Sequence, residues 1–82
     1  MLTIYSKPQC SFCDQAKAYL QQQAVEFTAI DVTQDAEAMS FIKSEGHRTV
    51  PQIYKDGTLF VHGGFHGLIQ LGRNGLMEKL GN

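Results

Sequence analysis

In the stretch SKPQCSFCDQAK, from Ser6 to Lys17, Cys10 and Cys13 are the only cysteines of the chain. A pair this close can exchange disulfides, ligate a metal or sit inertly in a core. Exchange requires a thiolate that attacks and a second thiol that resolves the mixed disulfide. An ordinary thiol, with a pKa of ~8.5, is only about 3% thiolate at neutral pH, so the attacking sulfur needs activation. A helix start supplies it, because the unpaired N–H groups of the first turn and the helix dipole favour negative charge there. Lys7 and Lys17 add positive potential, while Asp14 places a carboxylate nearby. Cys10 is therefore expected at the N-cap or first helical position, as the exposed attacking sulfur. Cys13, one turn further in and facing the core, is expected to be less exposed and to resolve.

The competing chemistries are weaker on the same residues. Cys10 and Cys13 with His62 and His66 have the elements of a Cys2His2 zinc site. Residues 14–61 separate the two pairs, far more than the about 12–15 residues typical of zinc fingers. No metal ligand is therefore assigned. Structural burial fits poorly with the lysine, proline, glutamine and aspartate around the pair.

The elements that must position these sulfurs follow from the rest of the pattern. With 82 residues, a single domain over residues 1–82 is expected. The segment LTIY, Leu2 to Tyr5, alternates like a short strand. Pro8 breaks the pattern before the cysteines. From Ser11 to about Gln23 the residues form a helix with Cys13, Ala16 and Leu20 on one face. AVEFTAIDV gives a second strand, with Val25, Phe27 and Ala29 alternating before Ile30 and Val32. Thr33 or Asp35 caps a second helix that runs through Met39 and Ile42 to Gly46. Asp56-Gly57 between apolar runs signals a hairpin, with Leu59 to His62 as its returning strand. The remainder is helix interrupted near Gly72 to Gly75, with Leu68, Leu71, Leu76 and Leu80 as core contacts. The order β-α-β-α-β-β-α predicts an α/β fold: a four-stranded mixed sheet with helices on both faces.

Composition excludes several classes. Net charge is −1, and no basic stripe with interleaved aromatics occurs, so no nucleic-acid partner is expected. No apolar run approaches the roughly 18 residues of a membrane span. MLTIYSK enters a strand directly, so no secretory leader is expected. Small secreted domains carry several disulfides, and two cysteines so close cannot staple a fold. A cytoplasmic setting and a monomer are expected.

Lys7, Cys10-Ser11-Phe12-Cys13, Ala16-Lys17, Thr49-Val50-Pro51-Gln52 and Gly63-Gly64 together resemble the glutaredoxins of the thioredoxin superfamily, co-linearly from Ile4 to Leu80. The resemblance implies a thioredoxin-like fold and a dithiol–disulfide oxidoreductase. Its clients would be protein disulfides or glutathione mixed disulfides, among them that of ribonucleotide reductase. Glutathione would be the reducing cosubstrate, with no cofactor bound. Cys10 and Cys13 would be catalytic. The docking groove would comprise Lys7, Phe12, Arg48, Thr49, Val50, Pro51, Gly63, Gly64 and Phe65. In it Lys7 meets a glutathione carboxylate, Pro51 is cis, and the Val50 backbone pairs with the substrate like one more strand. Gly63 and Gly64 admit the γ-glutamyl end.

Three departures qualify this expectation. Ser11 and Phe12 replace the common proline and tyrosine between the cysteines. The acidic residue that often follows Gly-Gly and anchors the glutathione ammonium is missing from GGFHGL; His66 there is expected in solvent. GHRTVP, with Arg48, is also similar to redoxins that serve ribonucleotide reductase and take electrons from thioredoxin reductase. A metal or iron–sulfur module is a further alternative of a different class, although the cluster-binding sites Cys-Gly-Phe-Ser and Cys-Gly-Tyr-Cys are absent.

Overall fold

The computed structural model of the protein describes residues 1–81. Strand β1 (Leu2–Ser6) leads through a Pro8-Gln9 turn into helix α1 (Ser11–Gln22). Strand β2 (Phe27–Asp31) and helix α2 (Ala36–Ser44) follow. Strands β3 (Gln52–Lys55) and β4 (Thr58–Leu59) form the hairpin, and α3 (Gly64–Gly81) closes the fold. The sheet order is β2-β1-β3-β4. β1 pairs in parallel with β2, with Leu2 opposite Phe27, and antiparallel with β3, with Ile4 opposite Ile53. The expected mixed sheet is thus present, and β1 lies at its centre.

The helices start and stop for local reasons. Asp35, rather than Thr33, caps α2: its Oδ1 accepts from the Ala38 N–H at 3.0 Å. The C-terminus of α2 closes with the Gly46 N–H donating to Lys43 and the His47 N–H donating to Ile42, each at 3.0 Å. That closure satisfies carbonyls that would otherwise be left open and turns the chain toward Arg48. At Asp56-Gly57 both residues have positive φ, 51° and 85°, as a two-residue hairpin of right-handed strands requires. In α3 the interruption falls at Gly72, where φ is 67° and ψ 171°.

Two expectations need correcting. The last strand ends at Leu59, not His62. Phe60 and Val61 leave the sheet because both side chains are buried among the helices on one face; a single backbone bond, from the Phe60 N–H to the Ile53 carbonyl at 2.8 Å, continues the ladder. In β2, Ala29 is exposed rather than core, because β2 is an edge strand and only part of it is covered.

The sheet divides the interior in two. Leu2, Ile4 and Ile53 pack against Ala16 and Leu20 of α1 and Leu68 and Leu76 of α3. Val32, Ala38 and Ile42 form a smaller cluster with Tyr5, Ile30, Met39, Phe41 and Val50 on the side of α2. Helices therefore cover both faces, and Cys10 sits at the edge between the two clusters.

Candidate active site

Cys10 is the N-cap of α1, with extended backbone angles of φ −117° and ψ 104°. Its Sγ accepts from the Cys13 N–H at 3.2 Å. The two cysteines are joined in a disulfide, with Cα atoms 5.2 Å apart. This is the helix-start placement expected from the sequence, and it brings the second sulfur within reach of the first. Cys13 has 0% of its surface exposed and Cys10 8%. The ranking is as expected, but Cys10 is less open than an exposed thiol. The cap bond draws its sulfur toward the helix, and the Val50 carbonyl oxygen lies 3.9 Å from Sγ.

The charges near the pair are arranged unequally. Lys17 Nζ lies 3.7 Å from the Asp14 carboxylate, so these two groups largely offset one another. Lys7 makes no ion pair among the described residues and lines the cavity beside Cys10. Of these two lysines, Lys7 is the one that leaves its positive charge to the site.

That cavity, about 470 Å³, gathers residues from four parts of the chain. Lys7, Cys10 and Phe12 form one wall; Arg48, Thr49 and Val50 form another. Val32, Met39 and Ile42 are its apolar floor, and two of these belong to the buried cluster under α2. Lys43 and His47 also line it. Reasoning from the sequence missed both. The helical spacing of Lys43 from Met39 was the available signal, whereas His47 reaches the cavity only through the closing turn of α2.

The Val50–Pro51 peptide is cis, as the family pattern implied. Pro51, Gly63, Gly64 and Phe65 do not line this cavity. Pro51 is buried, and Gly64, at φ 57°, abuts it: a Cβ there would stand 2.6 Å from the Pro51 carbonyl oxygen. The missing side chain of Gly64 thus lets α3 seat against the proline. Phe65 stacks on Phe12 with centroids 6.2 Å apart, and His66 meets Phe12 edge-on at 5.0 Å. These rings cover the opposite flank of α1's start. His66 is at the surface, as expected, but in ring contact rather than free in solvent.

Gly67 is closely packed. A Cβ at this position would lie 1.9 Å from the His62 carbonyl oxygen. The first turn of α3 therefore packs too closely on His62 to hold any larger residue without moving. Among the described residues, no three His, Cys, Asp or Glu side chains converge as a metal site, so His62 and His66 are not brought together with the cysteines. No helix among the described residues is long and apolar enough to cross a membrane.

A four-stranded thioredoxin-like sheet with a Cys-x-x-Cys disulfide at the start of its first helix defines a disulfide oxidoreductase. The glutaredoxin sequence profile matches residues 2–60. Glutaredoxin 1 of Rickettsia felis is 36% identical over 83 aligned positions, covering 96% of this chain and 78% of the relative. Glutaredoxin 3 of Escherichia coli K12 is 35% identical over 78, covering 94% and 92%. The chain belongs to the glutaredoxin family, with a redox-active Cys-x-x-Cys dithiol. Among solved structures, the buckwheat glutaredoxin–glutathione complex superposes with a TM-score of 0.78 at 26% identity, over 96% of this chain and 74% of that one. The Escherichia coli NrdH-redoxin, a glutaredoxin-like protein with a thioredoxin-like activity profile, gives 0.65 at 26% identity, over 66% and 71%.

Proposed function

We propose that this protein is a glutathione-dependent dithiol–disulfide oxidoreductase in which Cys10 attacks and Cys13 resolves. The observation that carries the assignment is the N-cap bond from Cys13 N–H to Cys10 Sγ beside an open cavity lined by Lys7. In the reduced protein the first-turn N–H groups and Lys7 favour charge on Cys10. Its thiolate attacks one sulfur of a client disulfide or of a glutathione mixed disulfide, and the displaced thiolate takes a proton. The Cys13 thiolate then attacks Cys10 Sγ, releases the second thiol and closes the disulfide seen here. Two glutathione molecules return the pair to the dithiol, leaving glutathione disulfide. The buckwheat complex supports glutathione as the ligand of this groove.

Lys7 would hold a glutathione carboxylate. No partner for the Val50 N–H occurs among the described residues, so the Val50 backbone is free to pair with the substrate backbone. Phe12, Arg48 and Thr49 line the same groove, while Pro51, Gly63, Gly64 and Phe65 shape it from behind α3's start. Protein disulfides, including that of ribonucleotide reductase, would be clients of a monomer working in a reducing cytoplasm. One observation favours a second reading: Phe65, His66 and Gly67 supply no carboxylate at the start of α3, which suits a redoxin reduced by thioredoxin reductase. Turnover on a glutathione mixed disulfide, driven by glutathione and its reductase, tests the proposal beside a parallel assay with thioredoxin reductase. Activity only in the second would overturn it in favour of the rival. A Cys13→Ser variant should keep deglutathionylation and lose protein-disulfide reduction.

A further inference from the structure

We infer that Lys43 and Arg48 extend the groove into an anion-binding subsite that selects client disulfides flanked by acidic residues. The inference rests on the reading of Cys10 as the attacking sulfur and adds a substrate preference to it.

The charge distribution points there. Of the seven lysine and arginine residues, three (Lys7, Lys43 and Arg48) line the cavity beside Cys10, together with His47; none of the eight carboxylates does. A chain of net charge −1 thus presents a basic wall at its redox centre. Neither Lys43 nor Arg48 makes an ion pair among the described residues. A second cavity of about 540 Å³ shares Lys43, His47 and Arg48 with the first and adds Gly46. Lys7, Cys10 and Phe12 do not line it, so the basic groove continues away from the sulfur. An occupant of both cavities is a longer chain than one that only reaches Cys10.

His47 is a fixed part of the groove wall. Its Nε2 lies 2.7 Å from the Tyr54 hydroxyl, which donates to Glu45 Oε1 at 3.3 Å. With the single hydroxyl proton aimed at Glu45, the Nε2–H of His47 donates to the Tyr54 oxygen. Glu45, exposed at the end of α2, accepts from Tyr54 and lines neither cavity. The fitting occupant is an acidic segment of a client protein whose cysteine meets Cys10 while its carboxylates meet Lys43 and Arg48. Exposed charges of this kind act chiefly on association rate and are screened by salt.

The test uses the full chain, pre-reduced and freed of reductant, in single turnover. Three peptides of matched sequence, each carrying its own disulfide, have glutamate, glutamine or lysine residues on both sides of the cysteines. Two electrons pass from the Cys10–Cys13 dithiol to the peptide disulfide, so no external reductant enters. At low ionic strength the glutamate peptide should react about tenfold faster than the glutamine peptide, and the lysine peptide slower still. The preference should collapse near 0.5 M salt, where the screening length is only a few ångströms, roughly 4 Å. Lys43→Glu should lower the glutamate-to-glutamine ratio to about one or below. Equal rates in the unmodified protein, or an unchanged ratio in Lys43→Glu, would overturn the subsite and leave the reading of Cys10 standing. Failure to reduce any of the three peptides would overturn that reading and the subsite with it.

Discussion

The two faces of the sheet are built differently. Toward α1 and α3 the core is aliphatic and closed: Leu2, Ile4, Leu20, Ile53, Leu68 and Leu76 are almost wholly buried. Toward α2 it is aromatic and partly polar. Tyr5, Phe41 and Tyr54 pack edge to face or tilted, with centroids 5.1–5.6 Å apart, and Tyr54 carries the hydrogen bonds to His47 and Glu45. Val32, Met39 and Ile42 serve both as that side's packing and as the floor of the cavity. One face holds the fold together; the other shapes the surface over which a substrate lies. A redox protein benefits from the separation, because the groove can vary with its client while the closed face keeps Cys13 buried under α1.

Truncation on the closed face should have the largest effect. Leu20→Ala removes a fully buried side chain and is expected to cost about 2–5 kcal/mol of stability. Chemical denaturation measures this, and KM of the protein that remains folded should hardly change. Ile42→Ala should cost about 2 kcal/mol but also raise KM, since it hollows the cavity floor. A comparable rise in KM for Leu20→Ala would erase the distinction between the faces. Tyr54→Phe deletes the hydroxyl shared by His47 and Glu45 and should cost about 1 kcal/mol, read as a lower denaturation midpoint.

Alkaline pH sharpens the comparison further. Burial raises the Tyr54 hydroxyl above its usual pKa, with the Glu45 charge and hydrogen bond adding to it. Burial likewise raises Tyr5, aided by Asp35. Above pH ~10 the unfolded chain releases these protons while the native protein keeps them. Their contribution is therefore full below that pH and is lost as pH rises through the folded values. Melting curves between pH 9 and 11 should show this decline, and the Tyr5→Phe, Tyr54→Phe double variant should show less of it. The smallest effect belongs to a site on neither face. Ala24, exposed after α1, has φ 59°, and Ala24→Gly should stabilise the protein by about 0.5 kcal/mol or more, measured by denaturation.

Much of this was legible beforehand. The apolar spacing of Cys13, Ala16 and Leu20 fixed the inward face of α1, and Asp56-Gly57 fixed the hairpin, because each is dictated by neighbours in the chain. Cys10 at a helix start followed from the same local logic, as did the break near Gly72. Phe60 and Val61 were misread as strand because their apolar character says only that they are buried, not against what. Ala29 was misread because alternation does not reveal which strand will lie at the edge.

By itself, then, the sequence determined the order of elements, the position of the sulfurs on the first helix and, through its motifs, the family. Tertiary structure alone decided what surrounds them. It brought Lys43 and His47 to the groove of Cys10, set Gly64 against Pro51 and closed the first turn of α3 on His62 so that Gly67 has no room for a side chain. The physical reason is range: helix caps and turns depend on residues a few positions apart, whereas a groove is made by segments some forty positions apart, from Cys10 to Val50, that meet only once both faces of the sheet are covered.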